Sequence, residues 1–184
     1  MWHGSLRVSE VAATSAHSFC ETSTLMGRDI QILDLPESPG DKYLLLTIKA
    51  AKASKGASAL VELLPNKSPV CPVQAFFRVF GQDPPDPNRP IASLSPNLFI
   101  DPNLLNKYLK ECFHGNLGTK EIILCHSLRM GLPTYMGSRG YPDEHVRLQG
   151  RWSSGVYLRY CREGRGLRLQ DQFALFNRLY EDTN

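Results

Sequence analysis

Gly150-Arg151-Trp152-Ser153-Ser154-Gly155-Val156-Tyr157-Leu158-Arg159-Tyr160-Cys161-Arg162 is the stretch on which the reading of this 184-residue chain turns. Residues 153–162 have a helical pattern, with Ser153 or Ser154 available as cap. Tyr157 and Tyr160 lie three apart and share a face. Arginines crowd the same region. Between Arg147 and Arg168 stand Arg147, Arg151, Arg159, Arg162, Arg165 and Arg168 against a single acid, Glu163. A planar guanidinium matches phosphate oxygens bidentately. The run therefore reads as a phosphate-facing surface or as a solvated basic face, and charge alone leaves both open.

Working outward, the last third reads as helix over about 126–138, 142–149, 153–162 and 168–181. In the last of these Leu169, Phe173, Phe176 and Tyr180 recur at three- and four-residue steps, an amphipathic stripe for a neighbouring copy or for the chain's own core. His126-Ser127-Leu128-Arg129 opens the first, with His126 and Arg129 three apart on one face. Asp101-Pro102 is a helix-start signal before Leu104, Leu105, Tyr108, Leu109 and Phe113. Pro72 to Phe80 is a second such helix, with Val73, Phe76, Phe77 and Phe80 on one side. Residues 81–97, rich in Asp and Pro, read as loop. Tyr43 to Ile48 and Leu60 to Leu64 read as a β-hairpin whose tip carries Lys49, Lys52 and Lys55 among small residues. Leu6 to Ser15 reads as a helix bearing Arg7 and Glu10, and residues 14–29 as loop.

Composition bounds the class. Hydrophobic residues make up 42% and charged residues 21% of the chain, and the net charge is +3, which fits one globular domain over residues 1–184. There is no apolar run of membrane-spanning length and no signal-peptide pattern at the start. Five cysteines without a Cys-x-x-Cys pair argue against a disulfide framework and for an intracellular compartment. His17 and Cys20 lack a second ligand pair, so no metal site is expected. The absence of Gly-x-Ser-x-Gly removes an α/β-hydrolase reading.

Five features then fall in order: Arg7 in Leu-Arg-Val-Ser-Glu, Lys52 at the hairpin tip, His126 and Arg129, Gly150-Arg151-Trp152, and Tyr160 in Tyr-Cys-Arg. This ordered set, from about residue 4 to 165, resembles the catalytic domain of the tyrosine recombinase (phage integrase) family. The tail is most similar to DIRS-like and Crypton-like mobile-element recombinases. The resemblance implies an α+β, mostly α-helical fold with a small antiparallel sheet or hairpin. It implies site-specific DNA recombination through a 3′-phosphotyrosine, without cofactor or metal, on double-stranded DNA, by a tetramer across paired sites. The compartment would be the nucleus in a eukaryote.

The resemblance also assigns roles. Arg7, His126 and Arg129 would neutralise the phosphate, and Trp152, standing where most members have a second histidine, would donate its indole N–H to it. Lys52 would be the general acid, with Lys49 or Lys55 in its place if the register differs. Tyr160 would be the nucleophile, preferred over Tyr157 because the family places a small or apolar residue and then arginine after it. By spacing rather than by the resemblance, Glu10, one turn beyond Arg7, would orient that guanidinium, and by charge Lys49, Lys55, Arg151, Arg159 and Arg162 would contact DNA.

The chemistry is coherent on its own terms. Cleaving a phosphodiester builds charge on its non-bridging oxygens, and fixed donors must neutralise it. A phenol has a pKa of about 10 and needs a cationic setting to attack. Taken singly, each residue also has an ordinary role: a surface ion pair for Arg7, a solvated lysine, a structural histidine, a core Trp152.

Two departures bear on activity. The family's separate DNA-clamping domain is not in the chain, so a fragment or a degenerate copy is expected, and Pro133 interrupts the helix after Arg129. The alternatives are a non-catalytic DNA-binding remnant and a type IB topoisomerase-like nicking enzyme.

Overall fold

The computed structural model describes residues 3–49, 57–113, 123–161 and 166. Lys52, Lys55, Arg162 and the apolar stripe over 168–181 lie outside the described residues.

The architecture is α+β. Helix α1 is Val8–Val11, and a 3-10 turn at Gly27–Asp29 leads into the sheet. Strands β1 (Ile30–Asp34), β2 (Lys42–Ile48) and β3 (Ala59–Leu63) form an antiparallel sheet with β2 in the middle. Leu46 of β2 stands opposite Ile30 on one side and Val61 on the other. Leu44, Leu46 and Ile48 alternate along β2 and are buried, while their neighbours are half-exposed, the period of two that a one-faced sheet demands.

Helix α2 (Pro72–Phe80) covers that face. It begins at its proline, whose missing N–H is no loss in a first turn, and buries Val73 and Phe76. These residues join Leu6, Leu25, Leu44, Leu46, Ile48, Val61 and Cys71 in one core, where each fully buried aliphatic side chain contributes about 1.5–3 kcal/mol.

A small hairpin of β4 (Ser93–Ser95) and β5 (Leu98–Phe99) precedes helix α3 (Pro102–Phe113). Asp101 caps α3 by accepting from the Leu104 N–H at 2.7 Å. Helix α4 (Cys125–Ser138) runs on through a buried Pro133, and α5 (Asp143–Gln149) follows. Residues 157–161 are helical. Val146, Tyr157 and Cys161 make a second core with Met136, Trp152 and Leu158 packed against it.

Three elements differ from the sequence expectations. The first helix covers Val8–Val11 and not Leu6 to Ser15, because the chain turns extended at Ala12 and the Ala13 N–H goes to the Ile100 carbonyl at 3.0 Å. The 81–97 loop ends in the β4–β5 hairpin. Residues 153–156 are bends and turns, so the helical residues 157–161 start at Tyr157.

The two cores are stitched together by residues 3–5. Gln149 Nε2 donates to the His3 carbonyl at 3.2 Å, Arg151 Nη1 to the Gly4 carbonyl at 2.9 Å, and Arg129 Nη1 to the Ser5 carbonyl. Gly4 allows this passage, since a Cβ there would stand 3.0 Å from Val61 Cγ1.

Candidate functional site

Glu10 is the anchor of the cluster. It is almost fully buried, yet it faces two arginines. Its Oε1 lies 2.8 Å from Arg7 Nη1, and its Oε2 accepts from the Arg7 backbone N–H at 2.7 Å, the carboxylate half of a capping box. The same Oε2 accepts from Arg151 Nη2 at 2.9 Å. One carboxylate thus holds two guanidinium groups from residues 144 positions apart in the chain.

Arg129 supplies a third. Its side chain is buried, and its donors go to the Ser5 and Gly150 carbonyls, the latter at 3.0 Å. Its Cζ lies 4.9 Å from the centroid of the Trp152 ring, within cation–π range. The Trp152 ring in turn lies 6.2 Å from those of Tyr157 and Tyr160. Burial first, and the charge of Arg7 next, push the Arg129 guanidinium down to about 10, with Glu10 pulling the other way. Burial likewise pushes Arg151 down, opposed by Glu10. Both stay charged near neutrality. Among the described residues three cations face one carboxylate, which leaves about two positive charges without a carboxylate in a partly dry setting and favours an anion there.

The backbone around Trp152 explains its aim. Helix α5 ends in a Schellman motif: Trp152 N–H bonds the Arg147 carbonyl at 3.1 Å, and Arg151 N–H bonds the Leu148 carbonyl at 3.0 Å. The left-handed position of that motif usually holds glycine, but here it holds Arg151 at φ 53°, at a cost of roughly 1–2 kcal/mol. The turn folds the indole back over Gly150, where a Cβ would sit 1.5 Å from the ring. Ser5, at φ 45°, is the other non-glycine residue with a left-handed backbone among the described residues. Its hydroxyl and the Arg151 Nε are buried without a hydrogen-bond partner among the described residues. Strain and unmet donors gather at one place, as they do at functional sites.

The residues singled out in the sequence divide. Arg7, Glu10, Arg129, Trp152 and Tyr160 are brought together, and Tyr160 is half-buried while Tyr157 is buried in the second core. His126 is exposed on the first turn of α4, and none of the hydrogen bonds, ion pairs or ring contacts that gather the others reaches it. Lys49 is tied by an ion pair to Asp29 at 2.6 Å and by a hydrogen bond to the Glu21 carbonyl at 3.0 Å. Arg159 is exposed. Arg151, grouped by charge with the DNA contacts, is folded inward onto Glu10 and Gly4. Among the described residues no group of His, Cys, Asp and Glu has the arrangement to hold a metal.

No protein-family model matches the chain, and no curated protein matches it. Among solved structures it is similar to the Tn1549 transposon integrase in complex with circular intermediate DNA, with a TM-score of 0.49 and 14% identity over 86% of this chain and 52% of that one. A single-substitution variant of that integrase bound to transposon right-end DNA gives a TM-score of 0.47 at 15% identity, over 92% of this chain and 56% of the other. The chain spans about half the length of the solved structures it matches.

Proposed function

We propose that this chain is the DNA-cleaving domain of a tyrosine recombinase, the class its ordered motifs resemble. One observation carries the reading: two arginines from distant parts of the chain share the single carboxylate of Glu10, and a third, Arg129, lies under the Trp152 ring that neighbours Tyr160.

In this reading a DNA phosphate takes up the unpaired positive charge. The Tyr160 phenol oxygen attacks phosphorus and gives up its proton to solvent water. The P–O5′ bond breaks, a 3′-phosphotyrosine ester forms, and the departing 5′ oxygen gains a proton. Arg7 and Arg129 offset charge on the non-bridging oxygens, and the Trp152 indole N–H is a further donor. His126, from α4, would complete the donor set, and Lys52 is the proposed proton source. The ester conserves the energy of the broken bond, so the 5′ hydroxyl of another strand reverses the step. A tetramer on two duplexes is the proposed assembly.

A library of randomised duplexes, each with a nick that lets the cleaved 5′ fragment diffuse away, tests this directly. Covalent protein–DNA adducts, resolved on a denaturing gel, are expected for the unaltered chain and for Tyr157→Phe, and lost in Tyr160→Phe. Salt-sensitive DNA binding with no adduct at any sequence would instead favour a non-catalytic DNA-binding domain. Relaxation of supercoiled DNA by the isolated chain would favour a topoisomerase-like enzyme.

A further inference from the structure

We infer that Arg151 is a positioning residue of this site, acting through Glu10 on Arg7, and not a contact to DNA. The inference rests on the recombinase reading for its consequence in catalysis, but the positioning itself can be tested without any activity.

Arg151 occupies the left-handed position of the turn after α5 at φ 53°, where glycine would be unstrained. Its Nε is buried and unpartnered among the described residues. An arginine tolerated under both costs points to a job for its side chain. That job is visible: Nη2 holds Glu10 Oε2 at 2.9 Å while Nη1 holds the Gly4 carbonyl at 2.9 Å. Glu10 Oε2 is also the acceptor of the Arg7 N–H, and its other oxygen holds the Arg7 guanidinium. The next residue, Trp152, stacks on Arg129. Arg151 therefore sets both arginines at once, one through its side chain and one through its backbone turn.

The test compares the full chain with Arg151→Gly and Arg151→Lys. Glycine keeps the turn and removes the clamp. Lysine keeps the charge but has no fork to span Glu10 and Gly4, and it serves if the glycine variant does not fold. The first measurement is amide hydrogen exchange at Arg7, with the β2 amides as a control for global stability. Protection at Arg7 is expected to fall about tenfold more than in β2, and equal changes in both would overturn the inference. The second is single-turnover cleavage of the nicked duplexes alongside DNA affinity as a function of salt. Cleavage is expected to slow about 100-fold, as for a misplaced catalytic group, with affinity and salt slope unchanged. A salt slope smaller by about 1 would mark a phosphate contact and overturn it. If the unaltered chain forms no adduct, the recombinase reading fails, while the Arg7 exchange data still decide whether Arg151 holds Arg7.

Discussion

Gly137 of α4 lies against the backbone of Cys161: a Cβ built on the glycine stands 2.8 Å from the Cys161 carbonyl oxygen and 3.0 Å from its Cα. This close approach lets helical residues 157–161 seat directly on α4, so that Tyr157 and Cys161 bury while Tyr160, on the same short segment, stays beside Trp152. The position of the phenol therefore depends on a missing methyl group.

Replacing Gly137 by alanine tests that dependence. Helix propensity alone favours alanine by about 1 kcal/mol. Here the clash is with backbone, which cannot swing aside, so Gly137→Ala is expected to destabilise by about 1–3 kcal/mol. Urea denaturation of the two proteins gives the sign, and a more stable alanine variant would mean that the contact yields easily.

Glu10 is the second test. Gln at this position keeps the shape and removes the charge, leaving Arg7, Arg129 and Arg151 facing one another. Removing one partner of a buried ion pair costs about 3–5 kcal/mol. Arg7 is about a quarter exposed, so Glu10→Gln is expected to cost less than that, about 2–3 kcal/mol. Equilibrium unfolding measures it, and a loss near zero would show that the carboxylate is not what holds the arginines.

Cys20 offers a third, independent of any DNA. It is exposed, and hydrogen bonds from the Ser23 and Thr22 side chains lower its thiol to about 7. The thiolate is the reactive form, so the rate of iodoacetamide alkylation at Cys20 should rise with pH through a midpoint near 7 and level off above 8. Peptide-resolved mass spectrometry across this range checks it. A midpoint above 8 would show that the hydroxyls do not stabilise the thiolate in solution.

The readable parts of the fold were those with local signals. Pro72 and Asp101-Pro102 announce α2 and α3, and the run of Tyr43 to Ile48, apolar but for Thr47, announces β2. Strand β1 lacks such a run: its Ile30, Ile32 and Leu33 are only half-buried, and it is a strand because it pairs with β2. The first helix stops early because a tertiary bond at Ala13 wins over its helical pattern. At the site, residue order pointed to Arg7, Arg129, Trp152 and Tyr160, whereas the partnership of Arg151 with Glu10 spans 141 residues and has no local trace. A count of arginines places Arg151 on the surface, and only the fold turns it inward.

The most direct measurement is where DNA attaches. Trypsin cuts after Arg151, Arg159 and Arg162, so Tyr157 and Tyr160 fall on separate peptides. After trapping with nicked duplexes and digestion by nuclease and trypsin, the nucleotide should be found on the peptide Tyr160-Cys161-Arg162. A nucleotide on the peptide from Trp152 to Arg159, or on neither, would contradict the assignment of Tyr160 as the attacking group.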